Sequence, residues 1–91
     1  MTVPPFDPEK DRRNQQKHQI RLARFAEFRE PLAIYSPRHG EDRWCVVGRL
    51  DDRLYTAIVT RRPEGLRVIS LRRSNRREEQ DYARGYHTSH D

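Results

Sequence analysis

The sequence has little cysteine, glycine or lysine, and no long apolar run: one Cys, four Gly and two Lys in 91 residues. Nothing approaches the 18 or so consecutive apolar residues of a membrane span, and Met1 to Phe6 has neither a basic nor an apolar leader pattern, so the chain is expected to stay in the cytoplasm. Cys45 cannot close an internal disulfide and sits in the apolar run Trp44 to Val47, where it reads as a buried inert thiol of a reducing compartment. So few glycines leave no Gly-rich phosphate loop and no nucleophile elbow. Of the four histidines, His18, His39, His87 and His90, only the last two are close, in a tail without a scaffold, so neither a metal site nor a cofactor is expected. Leu, Ile, Val and Phe number 18, which means a thin core.

What is present in excess is positive charge. Lys and Arg total 19 against 14 Asp and Glu, and 17 of the 19 are arginine, the side chain that grips phosphate with two parallel hydrogen bonds. The natural ligands should be anionic. The length allows one domain over residues 1–91, with an ordered part from about 6 to 84 and a frayed tail from 85 to 91.

Local signals give an α+β order. Asp7-Pro8-Glu9 has the cap, first-position proline and acidic first turn of a helix running from about Pro8 to His18. That helix has no apolar residue after Pro8, so hydrophobic packing gives no reason for it to dock. A second helix is expected from Ile20 to Phe28, with Leu22, Phe25, Ala26 and Phe28 near one face. Pro31 then starts a short edge strand, Leu32 to Ser36. Three further strands, Arg43–Leu50, Arg53–Thr60 and Leu66–Arg72, form an antiparallel meander turned by Asp51-Asp52 and by Arg62 to Gly65. A two-residue turn sets Leu50 opposite Arg53, Val47 opposite Thr56, Cys45 opposite Ile58 and Arg43 opposite Thr60. Asn75-Arg76-Arg77-Glu78 has the spacing of a reciprocal helix cap, opening a last helix that Gly85 should stop.

The chemistry these residues offer is metal-free work on a phosphodiester. RNA has an internal nucleophile in its 2′-hydroxyl, so a protein need only help deprotonate it, stabilise charge on phosphorus and protonate the departing 5′-oxygen. Arg43, Arg61, Arg67, Arg72, Arg73, Arg76 and Arg77 stand on or beside regular structure, and the last four straddle the end of a strand and the start of a helix. Lys17, His18 and Glu41 are the candidate proton-transfer or phosphate groups. Lys10, Asn14, Lys17 and His18 share one face of the first helix. A solvated charged face is the alternative reading for any one arginine, and a helix-terminal role is the alternative for His18.

Separated blocks along the chain resemble the BrnT family of toxins from type II toxin-antitoxin systems: Phe6-Asp7-Pro8, then Lys10, Asn14 and Lys17-His18, then Glu41 to Trp44 and Gly48-Arg49-Leu50, then Arg67 to Arg73 and Asn75 to Glu78 with Tyr82. The resemblance implies a RelE-like ribonuclease that arrests translation and growth. It also implies a small BrnA-like antitoxin, two copies of each chain in the neutralised complex, and operator DNA touched only through the antitoxin. Under this reading Arg72 and Arg77 bind the scissile phosphate, Arg43 and Lys17 add positive charge, and Glu41 or His18 moves a proton. Lys10, Arg61, Arg67, Arg73, Arg76 and Tyr82 would contact RNA. Relatives have glycine where Gln19 follows His18 and a Phe-Glu-Glu-Ala opening where this chain has Leu22-Ala23-Arg24-Phe25, with one residue fewer before Pro31, so the turn after the first helix is expected to differ; their Asp-Gly hairpin is Asp51-Asp52 here. Two other readings fit the same charge and thin core: a non-catalytic nucleic-acid-binding module, and an interaction subunit that folds against a partner.

Overall fold

The computed structural model describes residues 6–88. Helix α1 spans Pro8–His18, a six-residue 3₁₀ segment follows at Leu22–Glu27, and four strands come next: β1 Arg29–Tyr35, β2 Arg43–Leu50, β3 Arg53–Arg62 and β4 Gly65–Arg73. Helix α2 closes the order at Arg76–Thr88. The strands form one antiparallel sheet in sequence order, so β1 and β4 are its edges.

The expected hairpin register holds at every pair: Leu50 opposes Arg53, Val47 Thr56, Cys45 Ile58 and Arg43 Thr60. Asp51 and Asp52 both take positive φ, 52° and 63°, the pair of left-handed residues that a tight hairpin needs to match strand twist. Aspartate tolerates that conformation better than most side chains, which is why the turn forms without glycine.

One face of the sheet holds the core. Val46, Leu50, Ala57, Val59, Val68 and Leu71 are buried with Ile20 and Leu22, and Phe6, Phe25, Phe28, Trp44 and Tyr55 pack around them. The Phe28 ring lies over Gly48, where a β-carbon would stand 2.5 Å from Phe28 Cδ2, so only glycine fits beneath it. The expected second α-helix is instead the 3₁₀ segment. Leu22 alone in it is fully buried, Phe25 is half-buried, and Ala26 is exposed. Tighter winding suffices because a short segment need turn only a few apolar side chains inward.

Helix α1 docks through polar atoms. Asn14 Nδ2 donates to Ile20 O at 2.8 Å and to Leu71 O at 2.7 Å, while Asn14 Oδ1 accepts from Leu71 N at 3.0 Å. Asp11 Oδ1 accepts from Leu22 N at 2.7 Å. Both side chains are buried, and together they hold a helix that has no apolar face. Gln19 ends it at φ 59°, the left-handed conformation for which glycine is suited. The turn therefore takes, with Gln19, the backbone conformation that a glycine adopts without strain.

Strand β1 begins three residues earlier than expected and takes Pro31 inside it, at a register irregularity between Arg29 and Leu32, on an edge where a missing N–H costs little. Helix α2 runs through Gly85 to Thr88 rather than stopping there. A β-carbon at Gly85 would meet Leu32 Cδ2 at 2.5 Å, so this glycine makes room for packing between α2 and β1. The outer tail, Ser89 to Asp91 with His90, lies outside the described residues, as do residues 1–5.

Candidate ribonuclease site

The second face of the sheet is covered only at one end. Strand pairing places Leu32, Val47, Thr56 and Arg72 in one row across the four strands, with Ile34, Cys45, Ile58 and Ser70 in the next. Helix α2 lies over the first row. Beyond it a cleft of about 310 Å³ opens, lined by Arg38, Arg43, Cys45, Ile58, Arg72 and Glu78. Two arginines, from β2 and β4, thus meet in one cavity over a half-buried apolar floor.

The N-terminus of α2 is built around Glu78. The expected reciprocal cap forms: Glu78 N donates to Asn75 Oδ1 and Asn75 N donates to Glu78 Oε1, both at 2.8 Å. The same carboxylate reaches back to the sheet and takes Arg72 with two parallel bonds, Nη1 to Oε1 at 2.8 Å and Nη2 to Oε2 at 2.7 Å. Thr56 donates to Oε1 at 3.0 Å, so its 2.7 Å contact with Ser74 must be donated by the serine. Burial alone would raise the Glu78 pKa, but Arg72, the Asn75 N–H and Thr56 together hold it below the usual 4.5. Arg72 is correspondingly held charged by Glu78.

Glu41 stands behind Arg43, outside the cleft lining, and is already occupied. It accepts from Arg43 Nη2 at 2.9 Å and Arg62 Nη1 at 2.6 Å, and its pKa is lowered chiefly by the Arg43 bond, against an opposing desolvation. Arg62 was not among the residues singled out from sequence. Its signal was available, because alternation along β3 puts it on the same face as Thr60, opposite Arg43. Glu78 was read only as a cap.

His18 and Lys17, with Lys10, line a neighbouring pocket of about 270 Å³ against Ile69 and Ser70 of β4. Desolvation, then the charges of Lys17 and Arg72, push the His18 pKa below 6.5, so the ring is neutral near pH 7. The influence of Arg72 ties this pocket electrostatically to the cleft.

Other expected RNA contacts are dispersed. Arg61 lies over the Trp44 ring at 5.4 Å, on the core side of the sheet, and Arg73 is sent to that same side by strand alternation. Arg67 stays on the cleft side, pairs with Glu64 at 3.2 Å, and has its Nε buried without a partner. Arg76 and Arg77 are exposed at the start of α2, outside the cleft lining. Tyr82 is 4% exposed and donates its hydroxyl to Glu30 O at 2.8 Å, a packing position rather than the expected RNA-contacting one. Among the described residues no three His, Cys, Asp or Glu side chains come together as a metal site, and no helix is long and apolar enough to cross a membrane.

The model of a family described as the ribonuclease toxin BrnT of type II toxin-antitoxin systems matches residues 6–78, from the cap of α1 to Glu78. The chain belongs to the BrnT family. No curated protein and no solved structure gives a significant match. Family membership makes the chain a ribonuclease toxin with RNA as substrate and an antitoxin as partner. The Arg43 and Arg72 cleft is then the candidate place for a BrnT toxin to hold its phosphodiester.

Proposed function

We propose that the chain is a metal-independent endoribonuclease whose scissile phosphate sits between Arg43 and Arg72. The observation that carries this is that Arg43 of β2 and Arg72 of β4 line one cleft beside the N-terminus of α2. Charge developing on the phosphorane would be met by cations already in place, the largest source of catalysis in reactions of this class. The substrate's own 2′-hydroxyl is the nucleophile: it gives up its proton to a base as its oxygen bonds to phosphorus, the 5′-oxygen leaves as a hydroxyl with a proton taken from water, and a 2′,3′-cyclic phosphate remains.

His18 is the better candidate to accept the hydroxyl proton. It is neutral at physiological pH, whereas Glu41 is a depressed carboxylate with both oxygens engaged by Arg43 and Arg62. Glu41 instead holds Arg43 in the cleft. Lys17 adds positive charge beside His18, and Arg77, Arg76 and Lys10 supply an outlying basic surface for the RNA backbone. Growth arrest through RNA cleavage in the cytoplasm, release from it by a BrnA-like antitoxin in a complex with two copies of each chain, and contact with operator DNA through the antitoxin alone complete the reading. Family membership supports the antitoxin, and the order of helix, four antiparallel strands and helix supports a RelE-like arrangement.

The test is incubation of the purified chain with total RNA in EDTA. Cleavage to cyclic-phosphate ends, abolished by Arg72→Ala, is expected. Stoichiometric binding without product would replace the reading with the non-catalytic RNA-binding one.

A further inference from the structure

We infer that Glu78 is the positioning residue of the site: it fixes the Arg72 guanidinium in the orientation that meets the phosphorane. The inference rests on the proposed role of Arg72 and adds a residue that reading does not need.

Three observations converge on it. First, both Glu78 oxygens are committed to Arg72, in the side-by-side geometry that fixes the plane of a guanidinium and not merely its location. Second, the carboxylate is itself immobilised from two directions. The Asn75 N–H holds it from the helix start, and Thr56, fully buried in β3, holds it from the sheet. Third, the pair stands in the cleft wall, with the Glu78 side chain 17% exposed and that of Arg72 31% exposed, so the arginine retains a face toward the cavity. A flexible arginine would lose conformational freedom on meeting phosphate; one already held in place loses little.

A helix cap alone does not explain this arrangement. The cap needs only one acceptor oxygen turned back to the Asn75 N–H, and glutamine serves that position as well as glutamate. The second oxygen and the negative charge are used on Arg72. That charge also has a cost for the ground state, because it lies beside the place proposed for an anion. Glu78 would therefore weaken simple RNA binding while speeding the chemical step, a combination that no purely structural residue produces.

The experiment compares Glu78→Gln with Glu79→Gln and Arg72→Ala, measuring initial rates of total-RNA cleavage against RNA concentration, together with a thermal melt of each protein. Glu78→Gln keeps the cap but can take only one bond from Arg72. It is expected to stay folded at the assay temperature while melting somewhat below the wild type, and to lose about tenfold or more in kcat, with KM unchanged or lower. Glu79→Gln, which removes the same charge from the exposed first turn of α2 and leaves the ion pair and the cap, is expected to keep kcat unchanged. Wild-type kcat in Glu78→Gln, or a kcat loss in Glu79→Gln as large as that in Glu78→Gln, would overturn the positioning role. If Arg72→Ala cleaves normally, or the wild type does not cleave, the reading of the site itself fails and the inference falls with it.

Discussion

Asn14 and Leu71 are 57 positions apart and joined by two hydrogen bonds, Nδ2 to Leu71 O at 2.7 Å and Leu71 N to Oδ1 at 3.0 Å. Strand β4 is an edge, and at Leu71 the asparagine satisfies outward backbone groups that a fifth strand would otherwise satisfy. Replacing Asn14 by Ala leaves a buried N–H and two buried carbonyls short of a partner, counting Ile20 O. The expected cost is about 2–4 kcal/mol, since each orphaned group costs roughly 1–3 and some recover water. Urea unfolding would show it as a lower midpoint, and the freed β4 edge should make the variant prone to self-association.

That contact also marks where sequence reading stopped. Features whose partners lie close along the chain were legible: the Asp7 cap, the Asn75 and Glu78 cap, and a hairpin register dictated by a two-residue turn. A docking asparagine 57 positions from its partner has no local signal, and its position beside Lys10, Lys17 and His18 made it look like part of a ligand-binding face. The 3₁₀ segment was misread because spacings of three and four over six residues suit either winding. For the site, the arginines were visible but their faces were not all followed: the period of two in β3 already put Arg61 with Trp44 and Arg62 with Arg43. Glu78 was missed for a different reason, because its local role as a cap was complete without Arg72.

The arginines should separate into two classes. Arg72→Ala removes a cation held in the cleft and is expected to lower kcat by about 10² or more. Arg77→Ala removes an exposed charge outside the cleft lining, so it should weaken RNA binding a few-fold, lower the salt dependence by about one counterion, and spare kcat. Rates at two salt concentrations distinguish these outcomes. Equal kcat losses in both would mean that Arg77 enters the cleft with RNA bound.

Among the non-glycine residues at positive φ, Gln19 and Asp52 stand in two separate turns, and glycine at either should stabilise the fold. Gln19 sits at φ 59° after α1, and Asp52 at φ 63° in the β2–β3 hairpin. Left-handed backbone costs a side-chain-bearing residue about 1–2 kcal/mol, of which glycine's extra freedom in the unfolded chain returns part. Gln19→Gly and Asp52→Gly are each expected to add about 0.5–1 kcal/mol, and the double variant shows whether the two turns, which line one pocket through Gln19 and Asp51, are coupled. Asp51 is the wrong choice for the same change, since its carboxylate holds Arg24 at 3.0 Å. Denaturant midpoints of the two single variants and the double variant test both the sign and the additivity.

The pH profile of cleavage tests His18. A base works only when deprotonated, and desolvation together with the charges of Lys17 and Arg72 places its pKa below 6.5, so activity should be level near pH 7 and fall on an acid limb below 6.5. Removing one of the depressing charges should raise that pKa, so Lys17→Gln is expected to move the limb toward higher pH whatever it does to the plateau. Unfolding must not masquerade as this limb. The Arg72 and Glu78 pair lowers the folded-state pKa of Glu78, so its contribution to stability is complete above about 4.5 and is lost only as pH falls through the lower folded value. The depressed His18 pKa adds a smaller loss of stability as pH falls below 6.5, because the unfolded ring takes up its proton more readily. Circular dichroism across the same range separates that loss from the loss of a base. A limb in the carboxylate range that ignores Lys17→Gln would transfer the role from His18 to Glu41.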